Sequence, residues 1–265
     1  MRRVGNVLEG SCHCIWGEGN DKLIIVSIGE MEGIKGVDDA SENISNGKDA
    51  TQSSTYSSYV ASRALNKAHA SLGSLTNNDN PSWWKVDLRG YFNISNITVT
   101  AATYSSWSIY MKNASVEVMD KDVSLCSDVQ VKWCGEVPNT LAVGEEFTFT
   151  CNATFPVRFV RVVQRATSNS LFGIGHVDVQ GEGTIKPYRS YYKPSRNKKV
   201  SEPFLTTSAM TAGDCGIVCH QHHSCIDFSY SATAPTDENC LLTDKALSSH
   251  HVNDNSWTTY TITCL

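Results

Sequence analysis

The sequence predicts a mainly β protein: a β-sandwich of the jelly-roll kind, then a small α+β module stapled by disulfides. Three observations carry this. Short β-branched and aromatic runs, punctuated by Gly, Asn and Pro, fill the first part of the chain with no amphipathic helix among them. Ten cysteines are spread over 265 residues. Near residue 184 the character changes, and a basic, Tyr- and Pro-rich stretch precedes a cysteine-dense C-terminus.

Residues 1–40 fit neither unit and read as a poorly specified leader. Met1-Arg2-Arg3 has no apolar run directly behind it, so no signal peptide is visible there. The short run Leu23 to Ile28 does not supply one, and the true start is expected upstream.

Residues 41–182 form the first domain. Its most informative stretch is Trp83-Trp84-Lys85-Val86-Asp87-Leu88, placed between a polar loop, Gly73 to Pro81, and a β-branched run, Ile94 to Thr100. Adjacent residues of a strand face opposite ways, so one indole can enter a core while the other covers a loop. Further strands are expected over Ser115–Met119, Glu146–Cys151, Arg158–Gln164 and His176–Gln180. In the third of these, alternation places Phe159, Arg161 and Val163 on one face.

Residues 183–203 are basic and broken by Pro194 and Pro203, and read as an extended linker. Residues 204–265 form the second domain. Thr211 and Asp214 make a capping-box-like helix start. Cys215 and Cys219, one helical turn apart, share a face of that helix. His220, His222 and His223 follow and read as a solvated cluster.

Charged residues are only 18% of the chain and the net charge is −5. That excludes the basic footprint of a nucleic-acid binder. With no CxxC pair to suggest zinc, the cysteines read as disulfides of an oxidising compartment, hence a secreted protein. Sequons at Asn43, Asn93, Asn96, Asn113 and Asn152 fit secretion. No segment is apolar for long enough to span a membrane. No nucleophile elbow, zinc-protease helix or phosphate-cradling loop occurs, which points to a binding protein rather than an enzyme.

The double Trp, with Asp49-Ala50-Thr51-Gln52-Ser53-Ser54 upstream, resembles the F-type lectin (fucolectin) domain, a relative of the F5/8 type C, discoidin-like domains. The pattern C-x3-C-x5-C-x2-F-x-Y over Cys215 to Tyr230, then Cys240-Leu-Leu and Trp257-x-x-Tyr260, resembles the PAN/apple domain. The first resemblance implies a Cys134–Cys151 disulfide, and the second implies Cys215–Cys240 and Cys219–Cys225. Cys12, Cys14, Cys126 and Cys264 stay unassigned.

The fucose motif of such lectins is a His followed by Arg-x-Asp and a further Arg or Lys. Here the matching positions hold Asn77, Ala102 and Tyr104, so the motif is lost or rebuilt. The loop from Thr103 to Lys112 offers Tyr104 and Trp107 to stack on a sugar, with Tyr110 nearby. Asn77, Asp79 and Lys112 are there to bond hydroxyls. The calcium site that the resemblance implies is eroded: Asn66 and Ser74 could donate oxygens, but Arg63, Ala68 and His176 replace ligands. No cofactor is expected.

The resemblance thus implies a secreted glycan- or glycoprotein-binding protein of innate recognition or adhesion. In the alternative, the PAN module binds a protein partner and the lectin fold is a scaffold. Membrane-lipid binding is the weakest of the three, with Trp107 and Met111 the only candidate loop-tip residues.

Overall fold

The computed structural model describes residues 24–27, 43–104, 106–124, 126–165, 171–184, 189–222, 224–244 and 251–263. Two compact units divide them: 43–184 form one, and 24–27 with 189–263 the other.

In the second unit β1 (Ile24–Ser27) belongs to a six-stranded sheet described below. The first unit is built on β2 (Asp49–Gln52), β3 (Ser74–Leu75), β4 (Ser82–Thr100), β5 (Ala114–Met119), β6 (Val131–Glu136), β7 (Glu146–Thr150), β8 (Val157–Gln164), β9 (Gly173–Ile174) and β10 (His176–Gly183). The long β4 serves two layers. Its first half, Ser82 to Asp87, pairs with β8 on one side and β2 on the other. Its second half pairs with β10 and β7. The strand turns between them at a register break after Asp87, where Arg89 takes a positive φ of 53°. Strands β5 and β6 extend the first layer beyond β8.

The period of two explains the core between the layers. Trp84, Val86 and Leu88 of β4 all point inward and have no exposed surface, as do Val116 and Val118 of β5 and Val160 and Val162 of β8. Ile97, Val99, Val177 and Val179 close the core from the other layer. The Trp84 indole N–H donates to the Ala61 carbonyl at 2.9 Å, so its one polar atom is satisfied in the core. Trp83 faces the other way and is half-buried. That opposite face is not a plain solvent surface. The register sets Lys85 beside Arg161 and Arg161 beside Glu117, with Phe159 next along β8. Lys85 and Glu117 are both buried. Arg161 Nη2 donates to Glu117 at 2.5 Å, Arg165 to the same carboxylate at 2.7 Å, and Lys85 Nζ to Asp122 at 2.5 Å.

In the second unit the sheet runs β1, β11 (Arg189–Val200), β15 (His251–Thr263), β13 (Asp227–Tyr230), β14 (Cys240–Thr243), β12 (Leu205–Thr207), with one helix, α1 (Ala212–Gln221). Two expectations are corrected here. Residues 189–200, read as a linker, are a strand paired along its length with β15. Residues 24–27, read as part of a structureless leader, pair with 189–192 of that strand. Pro194 misled the linker reading. It lies beyond the reach of β1, where β11 pairs on one side only, an edge setting in which a strand proline is tolerated.

Thr211 caps α1. Its side chain accepts from the Asp214 N–H while the Asp214 carboxylate accepts from the Thr211 N–H, a complete capping box. Cys215 bonds Cys240 and Cys219 bonds Cys225, stapling the helix to the sheet. Phe228 packs between Tyr192 and Tyr260, at 5.1 and 4.8 Å between ring centroids. In the first unit Cys134 bonds Cys151. Cys126 is disulfide-bonded too, and Cys12, Cys14 and Cys264 lie outside the described residues. The histidines at the end of α1 are not solvated as expected. His220 is 2% exposed and the His222 ring lies 4.7 Å from Phe204. His223 lies outside the described residues.

Candidate functional site

One end of the sandwich gathers the loops 53–60 and 101–113. The first is tied in part by the Gln52 side chain. Gln52 Nε2 donates to Thr55 Oγ1, the Tyr59 carbonyl and the Leu75 carbonyl at 3.0–3.1 Å. The Leu75 N–H donates to the Tyr59 carbonyl, and the Tyr56 N–H to the Leu75 carbonyl. The second loop hangs on backbone bonds from Thr103 to Ala70 and from Tyr104 to Ser71, each 3.1 Å. Its far end is held by Gln164 Nε2, which donates to the Lys112 carbonyl at 2.8 Å. Met111 is fully buried and anchors the loop in the core. It is therefore no lipid-facing tip.

These anchors bring four aromatic rings together. Trp107 meets Tyr59 at 4.9 Å between centroids, Tyr110 at 6.1 Å and Tyr104 at 6.5 Å, each edge-on. Trp107, Tyr59 and Tyr110 are half-buried, while Tyr104 is 55% exposed. The Arg63 guanidinium lies 5.0 Å from the Tyr59 ring centroid. The structure thus offers a fixed, partly exposed aromatic surface with a cation beside it.

The other sugar-bonding candidates have work of their own. Asp79 accepts from Ser53 Oγ at 2.6 Å and from Ser54 Oγ. Asn77 donates from Nδ2 to the Thr55 carbonyl, and its N–H donates to Ser54 Oγ. Both residues fasten the 53–55 segment. Lys112 is exposed, with no acidic partner among the described residues. Ala102, at a fucose-motif position, is 3% exposed and offers nothing to a ligand. Sequence reasoning gave Tyr59 no role at this site and gave Arg63 none toward a sugar. Tyr56 and Tyr59 flanking a Ser-rich turn were the only signal.

The residues present do not fit calcium. The Asn66 side chain accepts from the Ala68 N–H as a helical-turn cap, and Ser74 is 2% exposed within β3. The third position is His176, whose Nδ1 lies 2.9 Å from the Ala64 carbonyl. Burial pushes its pKa down, which favours neutral imidazole. Among the described residues no three His, Cys, Asp or Glu side chains converge on a metal position. A hard cation asks for several oxygens, with carboxylates foremost, and this set supplies an arginine and an imidazole instead.

The sequons differ in setting. Asn43 Oδ1 accepts from the Ser45 N–H, Ser45 Oγ and the Val179 N–H, and Ser45 has no exposed surface. Asn93, Asn113 and Asn152 are exposed. Asn96 is half-buried and accepts from Thr150 Oγ1.

Residues 66–162 match the F5/F8 type C family model described as a NedA-like, galactose-binding domain. No curated protein matches the chain. Among solved structures, the lectin domain of lectinolysin complexed with Lewis B antigen is 24% identical, covering 52% of this chain and 96% of its own, with a TM-score of 0.42. A Streptococcus pneumoniae fucose binding module, SpX-3, is 19% identical over 52% of this chain and 96% of its own, at 0.43. The fucolectin from striped bass (Morone saxatilis) serum is 14% identical, covering 83% of this chain and 92% of its own, at 0.44.

Proposed function

We propose that this protein is a secreted recognition protein whose sandwich binds a glycan through the loop end built on Tyr59, Tyr104, Trp107 and Tyr110. The observation that carries this is the anchored ring cluster itself, with Trp107 edge-on to three tyrosines at 4.9–6.5 Å. A pyranose presents C–H bonds on one face, and an indole or phenol ring fixed beforehand stacks on that face with little entropy lost on binding. The match of residues 66–162 to a galactose-binding family model supports the same class of ligand. Fucose by the usual motif is not the ligand, since the positions that would carry it hold Asn77, buried Ala102 and Tyr104. Aromatic stacking replaces the charged fork of that motif.

The disulfides Cys134–Cys151, Cys215–Cys240 and Cys219–Cys225 support an oxidising environment for the folded chain, and export to the extracellular space accounts for them. The second unit, a PAN/apple-like module in this proposal, adds a disulfide-stapled surface for a partner.

A glycan-array screen of the disulfide-bonded protein tests the reading, with and without EDTA. Binding is expected, weakened by Trp107→Ala and by Tyr104→Ala and indifferent to EDTA. An array with no binding by a correctly folded sample would sink the glycan reading and move the search to protein partners of the second unit. Binding abolished by EDTA would overturn the metal-free account of the loops.

A further inference from the structure

The aromatic surface has a charged neighbour whose valence is unspent. Arg63 stands in the 3-10 turn Ala61–Leu65, below the loop that carries Tyr59. Its guanidinium contacts the Tyr59 ring, and that ring contacts Trp107. The cation therefore lies no farther from the indole than those two contacts laid end to end. Arg63 Nε is buried with no hydrogen-bond partner, and no carboxylate pairs with the guanidinium among the described residues. This is unusual inside this unit. Arg89, Arg158, Arg161 and Arg165 all hold a carboxylate.

The loop segments of this end also carry Lys67 and Lys112, both exposed. Lys67 lies 3.7 Å from Glu146, and Asp79 keeps its charge while two serine hydroxyls donate to it. Arg63 and Lys112 are thus cations of this end with no carboxylate of their own among the described residues.

We propose that this site selects acidic glycans, those carrying a sugar carboxylate or a sulfate ester, and that Arg63 is the residue that reads the anionic group. The proposal deepens the glycan reading above and rests on it. The chemistry is that of a guanidinium fork. Its donors are planar and paired, and they match a carboxylate or sulfate in a way that a neutral hydroxyl cannot equal. Arg63 Nε is itself out of a ligand's reach, and the half-buried side chain would offer its fork through the Nη groups. Tyr59 orients both parts of the ligand. One contact of its ring holds the cation, and another sets the indole against which a neighbouring sugar ring would stack. Lys112 adds long-range attraction and a salt-dependent on-rate, with no fixed geometry.

The same cations would attract an anionic membrane. Trp107 is half-buried among rings and Met111 is wholly buried, while Tyr104 and Ile109 of the same loop are 55% and 51% exposed. Rings fixed edge-on to one another suit a sugar face better than a bilayer, and the vesicle arm below tests that choice.

The experiment compares matched oligosaccharides, each in neutral, sialylated, uronate and sulfated form, against the full disulfide-bonded chain at low and high salt. Phosphatidylserine vesicles form a separate arm. The acidic forms are expected to bind about tenfold more tightly than their neutral parents. Arg63→Gln should erase that preference, bringing the ratio of acidic to neutral affinity to about one, and Lys112→Gln should reduce the salt dependence. Arg63→Lys should keep a weakened preference, and it serves as the test if Arg63→Gln fails to fold. The sialylated, uronate and sulfated arms identify which anion is read. Equal binding of neutral and acidic forms, or a preference that survives in folded Arg63→Gln, overturns the proposal and leaves the glycan reading standing. Binding to no sugar at all ends both. Vesicle binding that sugars do not compete for, and that is lost in Arg63→Gln, assigns Arg63 to a lipid surface instead and overturns the proposal.

Discussion

Tyr59 and Trp107 belong to different loops and meet edge-on with ring centroids 4.9 Å apart. Each ring is fixed by backbone bonds of its own loop, so the pair measures how well the two loops are held together. Tyr59→Phe keeps the ring and should change neither stability nor glycan affinity. Tyr59→Ala removes the pair and the support of Arg63. It should cost about 1 kcal/mol beyond the lost burial, the usual worth of an aromatic pair. Chemical denaturation reads the first effect and glycan titration the second, where a loss of about tenfold is expected.

Lys85 and Asp122 form a two-oxygen contact at 2.5 Å with side chains 8% and 17% exposed. Removing one partner leaves a charge stranded against the sheet. Lys85→Met should destabilise the first unit by about 3 kcal/mol. The double change Lys85→Met with Asp122→Leu should recover much of that, which a double-mutant cycle of denaturation midpoints checks. Burial raises the Asp122 pKa, but hydrogen bonds from Lys85 and Ser124 outweigh it and hold the carboxyl below the usual range. The stability this group adds is therefore whole above the ordinary Asp pKa. It is lost as pH falls through the lower folded value.

His176 adds acid sensitivity of the same sign in a higher pH window. Burial lowers its folded pKa, countered in part by the Ala64 carbonyl and by Asp178. Below the unfolded value the unfolded chain takes up the proton first. Stability is then complete above about pH 6.5 and declines as the solution is acidified. Melting temperatures measured between about pH 7.5 and 5.5 should fall more steeply for the native protein than for His176→Gln. Equal slopes would show that this imidazole does not carry the acid sensitivity.

The Cys134–Cys151 bond closes a segment with a sequence separation of 17. Replacing both cysteines by Ser should lower stability by about 3 kcal/mol, from the freed entropy of the unfolded chain. The readout is the denaturant midpoint of the double variant, with an m-value that rises as the unfolded chain, no longer cross-linked, exposes more surface.

Glycan occupancy should follow the surroundings of each sequon. The Asn43 carboxamide oxygen is engaged three ways and Ser45 is buried, whereas Asn93, Asn113 and Asn152 stand exposed. Intact-mass analysis before and after enzymatic deglycosylation of secreted protein should find the three exposed sites modified and Asn43 bare.

Much of the fold was legible because it is written in local patterns. Alternation placed β5, β7, β8 and β10 within a few residues of their observed bounds, and Thr211 with Asp214 announced the start of α1. The strand β11 was illegible for an equally physical reason. Pro194 and a run of lysines read as linker chemistry, and only pairing with β15, brought from the far end of the chain, shows that the proline falls where no second partner needs its N–H. At the candidate site, Tyr104 and Trp107 could be named from the loop's composition. Asn77 and Asp79 were named too, yet they spend their polar atoms on Thr55, Ser53 and Ser54.

The sequence by itself determined the two β-rich units, the strand faces and the helix cap, because each depends on neighbours within a few residues. The tertiary structure alone decided which loop residues meet. Tyr59 reaches Trp107, Arg63 reaches Tyr59, and Lys85 finds Asp122, through the pairing of β4 with its neighbours and the bonds that hang each loop. A side chain is free to bind when no closer partner satisfies it. That depends on contacts between segments far apart in the chain, which no local pattern encodes.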